Sequence, residues 1–297
     1  MKSLLFSGSL VLAAAGSAAC VVSVDSQAQI VREEKRFTVK GVPELRLSTF
    51  DGSIDLQPAE GGEVFVEIEK RGATKEAVDA LEVTSKQDGN RIELEVKRPR
   101  NEGLSGFGFH QSASARLIVS VPRRATVIAR TGDGSIKLEG LTGRFELRTG
   151  DGSIRATNVS GDLRLHTGDG SITVDRADGT LDLDTGDGGV NVTGKLTAVK
   201  MHTGDGSIVY RAETGTVMTD NWDISTGDGA VSVYLPADFG AELDAHTGDG
   251  SIANDLALTS VDRDDRENRR TVRGRLGSGG KLLRIRTGDG SIRLKQS

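Results

Sequence analysis

The chain has 297 residues, with 43 acidic against 38 basic side chains and a formal net charge of −5, both signs interspersed. No basic block or stripe stands out, which argues against nucleic acid as a partner and against a polybasic membrane patch. A lone cysteine excludes any disulfide within the chain, so stability must come from packing.

Residues 1–19 read as a secretory signal. Lys2 supplies the positive region, 4–15 the apolar stretch and Ser17-Ala18-Ala19 the small-residue cleavage site. The apolar stretch is too short to span a bilayer as a mature helix. Cys20 follows directly, in an arrangement that resembles a bacterial lipobox, where the cysteine becomes the lipidated first residue. Ser17 departs from the leucine usual there. The alternative is an ordinary signal peptide cut nearby, leaving an incidental thiol. Lipidation is favoured because a free thiol is a liability in an oxidising compartment. The expectation is an exported protein held at the cell envelope through Cys20, with residues 20–36 as a tether.

Residues 37–124 form an N-terminal β region continuous with the repeats C-terminal to it. Arg46-Leu47-Ser48, Ile54-Asp55-Leu56, Val64-Phe65-Val66-Glu67-Ile68 and Ile92-Glu93-Leu94-Glu95-Val96 alternate apolar with polar, the period of a half-buried strand. Thr74 is a candidate N-cap for a turn or two of helix over 75–81. Residues 101–114 make a Gly/Ser loop carrying Phe107 and Phe109. These rings are read as a partner contact or as a cap over the open end of the core. Pro122 and Pro236 each end an apolar run, as expected at a corner.

Residues 125–297 carry the dominant feature. Thr-Gly-Asp-Gly occurs eight times, from Thr131, Thr149, Thr167, Thr185, Thr203, Thr226, Thr247 and Thr287, and six copies continue as Ser-Ile. A degenerate copy begins at Thr49. The first four intervals are 18 residues each, then 23, 21 and 40. So strict a period predicts one supersecondary unit stacked on copies of itself. Each unit holds two short alternating runs separated by Gly-rich corners, with no room for a helix. Ile136, Ile154, Ile172, Val190 and Ile208 fall in one column. Leu147, Leu165, Leu183 and Met201 fall in a second, and Phe145, Leu163, Leu181 and Val199 in a third. The predicted fold is an all-β solenoid, single-stranded and β-helix-like, with the turns aligned along one edge. A narrow aliphatic core suits the aromatic content of 4%. A stack of independent hairpins explains the exact register less well. Residues 262–275 read as a charged insertion before the last repeat.

Three blocks, with the 18-residue repeats between the first and second, carry a family resemblance: Arg-Leu-Ile-Val-Ser-Val-Pro at 116–122, Leu-Pro-Ala-Asp-Phe-Gly-Ala-Glu-Leu-Asp-Ala-His-Thr-Gly-Asp-Gly at 235–250, and Gly-Arg-Leu-Gly-Ser-Gly-Gly at 274–280. In this order they resemble the DUF4097 family, bacterial envelope proteins often given the provisional label adhesin. The resemblance covers roughly 37–297. It implies a β-solenoid-like fold at the envelope and brings no catalytic residues.

The repeated aspartates are the obvious chemical candidate. Asp133, Asp151, Asp169, Asp187 and Asp205 stack at about 5 Å, where carboxylates repel by ~1 kcal/mol in water. Calcium would relieve that repulsion, but β-roll sites draw aspartates from both corners, and here only one corner has them. The favoured reading is that each carboxylate accepts backbone N–H bonds within its own turn. The threonines are read as a hydroxyl array at the corner. His166 and His202 lie two coils apart, about 10 Å, too far to share a metal through imidazole nitrogens. No nucleophile elbow, metal-binding His pair or phosphate loop is present. The expected function is therefore a non-enzymatic, envelope-anchored structural or adhesin-like interaction protein without cofactor. Its expected partner is an envelope or extracellular protein or glycan. Alternatives are a calcium-binding β-roll or a carbohydrate-active enzyme on a β-helix.

Overall fold

The structure, a computed structural model, describes residues 20–25, 28–98, 113–259 and 270–297. The signal segment 1–19 and the aromatic pair Phe107 and Phe109 lie outside the described residues.

The first strands are β1 (Cys20–Asp25), β2 (Ala28–Thr38), β3 (Glu44–Thr49), β4 (Ile54–Ala59) and β5 (Glu63–Gly72). A five-residue helix comes next, α1 (Lys75–Asp79), capped by the Thr74 hydroxyl accepting from the Ala77 N–H. Then come β6 (Glu82–Asp88), β7 (Arg91–Lys97), β8 (Ala113–Pro122), β9 (Arg124–Arg130) and β10 (Ile136–Glu139). The regular repeats supply β11 (Thr142–Thr149), β12 (Ile154–Thr167), β13 (Ile172–Thr185), β14 (Val190–Thr203) and β15 (Ile208–Ala212). The remainder is β16 (Trp222–Thr226), β17 (Val231–Leu235), β18 (Ala241–Thr247), β19 (Ile252–Asn254), β20 (Leu258–Thr259), β21 (Thr271–Leu276), β22 (Leu282–Thr287) and β23 (Ile292–Gln296).

Parallel pairing at an offset of one repeat builds the β-solenoid-like body. Ile154 pairs with Ile172, Leu163 with Leu181 and Leu165 with Leu183 between β12 and β13, and the same register carries from β11 to β12 and, through two compensating register shifts at 174–180, on to β14. Every residue of the three predicted columns is buried. The core is not purely aliphatic. Phe145, Tyr210 and Trp222 are among its largest fully buried side chains. Trp222 packs edge-on to Tyr210 at 5.4 Å and tilted against Phe239 at 5.3 Å. It occupies the phenylalanine column one coil past Val199, where the longer 23-residue interval brings extra chain and room for a ring.

Stacking order departs from chain order at both ends. β3 lies between β7 and β9, and β4 between β8 and β10. At the far end, the last repeat in sequence is not the last in space. β22 lies between β16 and β18, and β23 between β17 and β19. Antiparallel strands then cover the end coils: β2 and β5 on β8 at one end, β6 on β7 beside them, and β21 on β18 at the other. These replace an open stack edge with antiparallel strands bearing charged side chains, a usual protection against edge-to-edge association.

Two segments differ from their sequence reading. Residues 28–36 of the predicted tether belong to β2, which pairs with β5 from Gln29–Gly72 to Thr38–Glu63. Charges on β2 are matched across the strands: Arg32 binds Glu69 at 2.9 Å and Glu33 binds Lys70 at 2.5 Å. Burial pushes the Glu69 carboxyl up, but Arg32 and Arg71 outweigh it and hold its pKa below the ordinary value. Likewise residues 271–275 of the predicted charged insertion belong to β21, with Arg273 and Arg275 bound to Asp244 and Glu242 of β18.

At the second corner, Gly140, Asn158 and Arg176 occupy successive left-handed positions, with φ of 65°, 53° and 53°. A bulky side chain there costs roughly 1 kcal/mol that glycine avoids. We expect Arg176→Gly to raise stability slightly, by no more than about 0.5 kcal/mol, after the loss of its exposed bonds to Asn158 and Asp175 and the added freedom of glycine in the unfolded chain. Urea denaturation measures it, and a lower midpoint would contradict the strain assignment.

Candidate functional site

The repeated turn is built around its threonine, not its aspartate. Alternation along each strand turns the threonine inward, and Thr167, Thr203 and Thr247 are fully buried. The Thr167 hydroxyl donates to the carbonyls of Gly150 and Gly152 in the preceding coil, at 3.1 and 2.8 Å, and accepts the Gly170 N–H at 3.3 Å. Thr149, Thr185, Thr203, Thr226 and Thr287 bridge to their preceding coils in the same way. Beside this bridge a short backbone bond runs from the Gly168 N–H to the Gly150 carbonyl at 2.6 Å. The hydroxyl array is therefore an internal staple between coils rather than a surface feature.

The carboxylates of Asp133, Asp151, Asp169, Asp187 and Asp205 point to solvent. None of them has a hydrogen-bond or ion-pair partner among the described residues, so the expected intraturn N–H bonds are not what closes the turn. Exposure itself relieves the stacked charges, because water and salt screen them. No group of three or more His, Cys, Asp or Glu side chains among the described residues is placed to hold a metal ion.

The three described histidines lie on the outer surface of the coils. His166 is 3.0 Å from Asp184 and His202 3.1 Å from the Ser225 hydroxyl. His246 is 2.8 Å from the Thr271 hydroxyl.

Chemistry concentrates on the outer face of the sheet formed by β11, the second halves of β12, β13 and β14, and then β16, β22 and β18. In-register stacking lines up outward side chains as strictly as inward ones. Three residues before each threonine, Glu146, Arg164, Asp182, Lys200, Asp223, Arg284 and Asp244 form one row across the sheet. Their charges alternate without exception. In chain order the row would end Asp223, Asp244, Arg284, with like charges adjacent. Intercalation of β22 places Arg284 between the two acids.

Toward both ends the charges are paired within the chain. Glu146 takes Arg130 at 3.2 Å and Arg148 at 3.1 Å; Asp223 takes Arg284 at 3.6 Å; Asp244 takes Arg286 at 2.6 Å. Burial pushes the Asp244 carboxyl up, but Arg286 and Arg273 outweigh it and hold its pKa below the ordinary value. In the middle, exposed Arg164, Asp182 and Lys200 have no partner among the described residues. All three line both of two adjoining depressions, of about 400 and 520 Å³. Sequence reasoning through the apolar, Thr and Asp columns missed these residues. Their signal in the sequence is a column of alternating charge at the same 18-residue spacing.

Cys20 opens β1, whose first residue pairs with Glu33 of β2. No helix among the described residues is long and apolar enough to cross a membrane.

Several solved structures are similar to the chain. One from Parabacteroides distasonis, provisionally called an adhesin, has 9% identity and a TM-score of 0.45, covering 89% of this chain and 96% of its own. One from Bacteroides fragilis, also provisionally called an adhesin, has 10% identity and a TM-score of 0.41 over 89% and 96%. A second Parabacteroides distasonis protein, provisionally called lipid binding, has 12% identity and a TM-score of 0.40 over 89% and 96%. Similarity at this level transfers no ligand or activity. No curated protein matches the chain. The family model Toastrack DUF4097 matches residues 42–295, and the chain belongs to that family.

Proposed function

We propose that this chain is a non-enzymatic, adhesin-like interaction protein presented at the cell envelope, and that its contact surface is the charged face spanning β11 to β14. One observation carries this reading. Arg164, Asp182 and Lys200 stand in shallow depressions with no partner among the described residues, while their neighbours on either side are paired. Unpaired surface charges contribute little to stability, so their ordered placement is better explained by recognition. A triple variant, Arg164→Ala with Asp182→Ala and Lys200→Ala, tests it. Retention on cells or on matrix-coated surfaces should fall by about tenfold or more, with stability changed by no more than ~1 kcal/mol. Unchanged retention would refute this choice of face. Glycan turnover by the purified chain would refute the non-enzymatic reading.

Envelope attachment is proposed to run through a lipid on Cys20. Cys20→Ser should remove the lipid label and move the protein from the membrane fraction to the soluble one. A variant that stays with the membrane would reject the anchor.

A further inference from the structure

We propose that the partner of the charged face is a second copy of this chain, docked face to face with its strands parallel and its stacking axis reversed. The inference rests on the reading of that face as the contact surface, and adds the identity of what it meets.

Pitch narrows the choice of partner first. Parallel in-register strands place successive charges of the row about 4.8 Å apart, so like charges recur about every 10 Å. An extended peptide repeats its same-face side chains about every 6.7 Å and falls out of step within a few residues. Another sheet with the same stacking repeat stays in step along the whole row. The face carries no aromatic side chain in the row, which leaves little for stacking against sugar rings.

Symmetry then selects one arrangement. A two-fold axis along the stacking direction would set every charge against its own copy, which repels. A two-fold axis along the strands, placed between β13 and β14, reverses the row. Asp182 then meets the partner's Lys200, Arg164 meets the partner's Asp223, and Glu146 meets the partner's Arg284. Each contact occurs twice, as an isologous interface requires. In the neighbouring row, Asp184 meets the partner's His202. The one like-charged meeting there is Arg148 with the partner's Arg286. Each of these cations is already held by its own carboxylate, Arg148 by Glu146 at 3.1 Å and Arg286 by Asp244 at 2.6 Å.

Exposed ion pairs are individually weak, so the interface is reversible in solution and depends on many copies acting together at a surface. That suits contact between surfaces displaying the same protein.

Charge exchange tests the geometry. Under reducing conditions, which prevent Cys20 from cross-linking copies, the full chain should self-associate in sedimentation velocity at low salt. Raising salt from about 50 to 500 mM should weaken association by about tenfold. Asp182→Lys and Lys200→Asp should each weaken it by at least about tenfold, with melting curves to verify folding. An equimolar mixture of the two variants should recover association, because each then offers the charge the other lacks. The doubly exchanged chain, Asp182→Lys with Lys200→Asp, should recover it alone. A wild-type chain that stays monomeric up to about 1 mM at low salt would overturn the proposal, as would failure of the mixture to recover. If the chain is monomeric yet the triple alanine variant loses cell retention, the face stands and its partner is another molecule. If neither effect is seen, both readings fall.

Discussion

A chain ending at Gly280 is expected to lose its cooperative fold. In chain order the last repeat would be a terminal coil, and removing it would leave the rest intact. In space it is an interior coil, with β22 and β23 each paired on both sides. Truncation removes Leu283, Ile285, Ile292 and Leu294, all fully buried. At roughly 1.5–3 kcal/mol for each, that is about 6–12 kcal/mol, comparable with the whole stability of an ordinary domain. It also uncovers Trp222, Ile224, Val231 and Val233 on the facing coil, and leaves β18 and β19 without their parallel partners. Circular dichroism melting and limited proteolysis of the truncated chain would decide it. A cooperative transition lowered by only a few degrees would mean that β18 and β19 can restack directly on β16 and β17.

Gly170→Ala, Thr167→Val and Asp169→Ala, three changes within one turn, should separate widely in their effects. A Cβ on Gly170 would lie 2.0 Å from the Gly152 carbonyl oxygen, a backbone atom of the preceding coil. The turns must move apart to admit it, breaking the staple there, and we expect a loss of at least about 3 kcal/mol. Thr167→Val keeps the shape but leaves the Gly170 N–H without its hydroxyl acceptor and removes the donor to Gly150 and Gly152. That should cost about 1–3 kcal/mol. Asp169→Ala removes an exposed, unpartnered carboxylate from a row of like charges and should change stability by less than about 0.5 kcal/mol. Urea denaturation of the three variants orders them. If Asp169→Ala proves the most damaging, the carboxylates take part in closing the turn after all.

Much of this molecule could be read from its repeats. A strict 18-residue period demands equivalent units, and an alternation of two in each run demands strands. The buried columns through Ile154, Leu163 and Leu165 result from those facts, because in-register stacking hides the equivalent apolar positions of every repeat at once. The Thr74 cap of α1 was equally local and equally legible. Side-chain type alone could not say which polar residue of the turn held neighbouring coils together. Thr and Asp are both short oxygen-bearing residues, and the choice between inward and outward placement depends on where the strand alternation lands at the corner. Stacking order was not legible at all. A repeat carries the same apolar surface on both sides, so local chemistry permits the last coil to sit anywhere in the stack. Only the tertiary structure, by inserting β22 between β16 and β18, revealed that Arg284 separates Asp223 from Asp244 and that the charged row alternates to its end. Coulomb repulsion between like charges at one strand spacing is the physical reason that spatial order, and not chain order, is written in those residues.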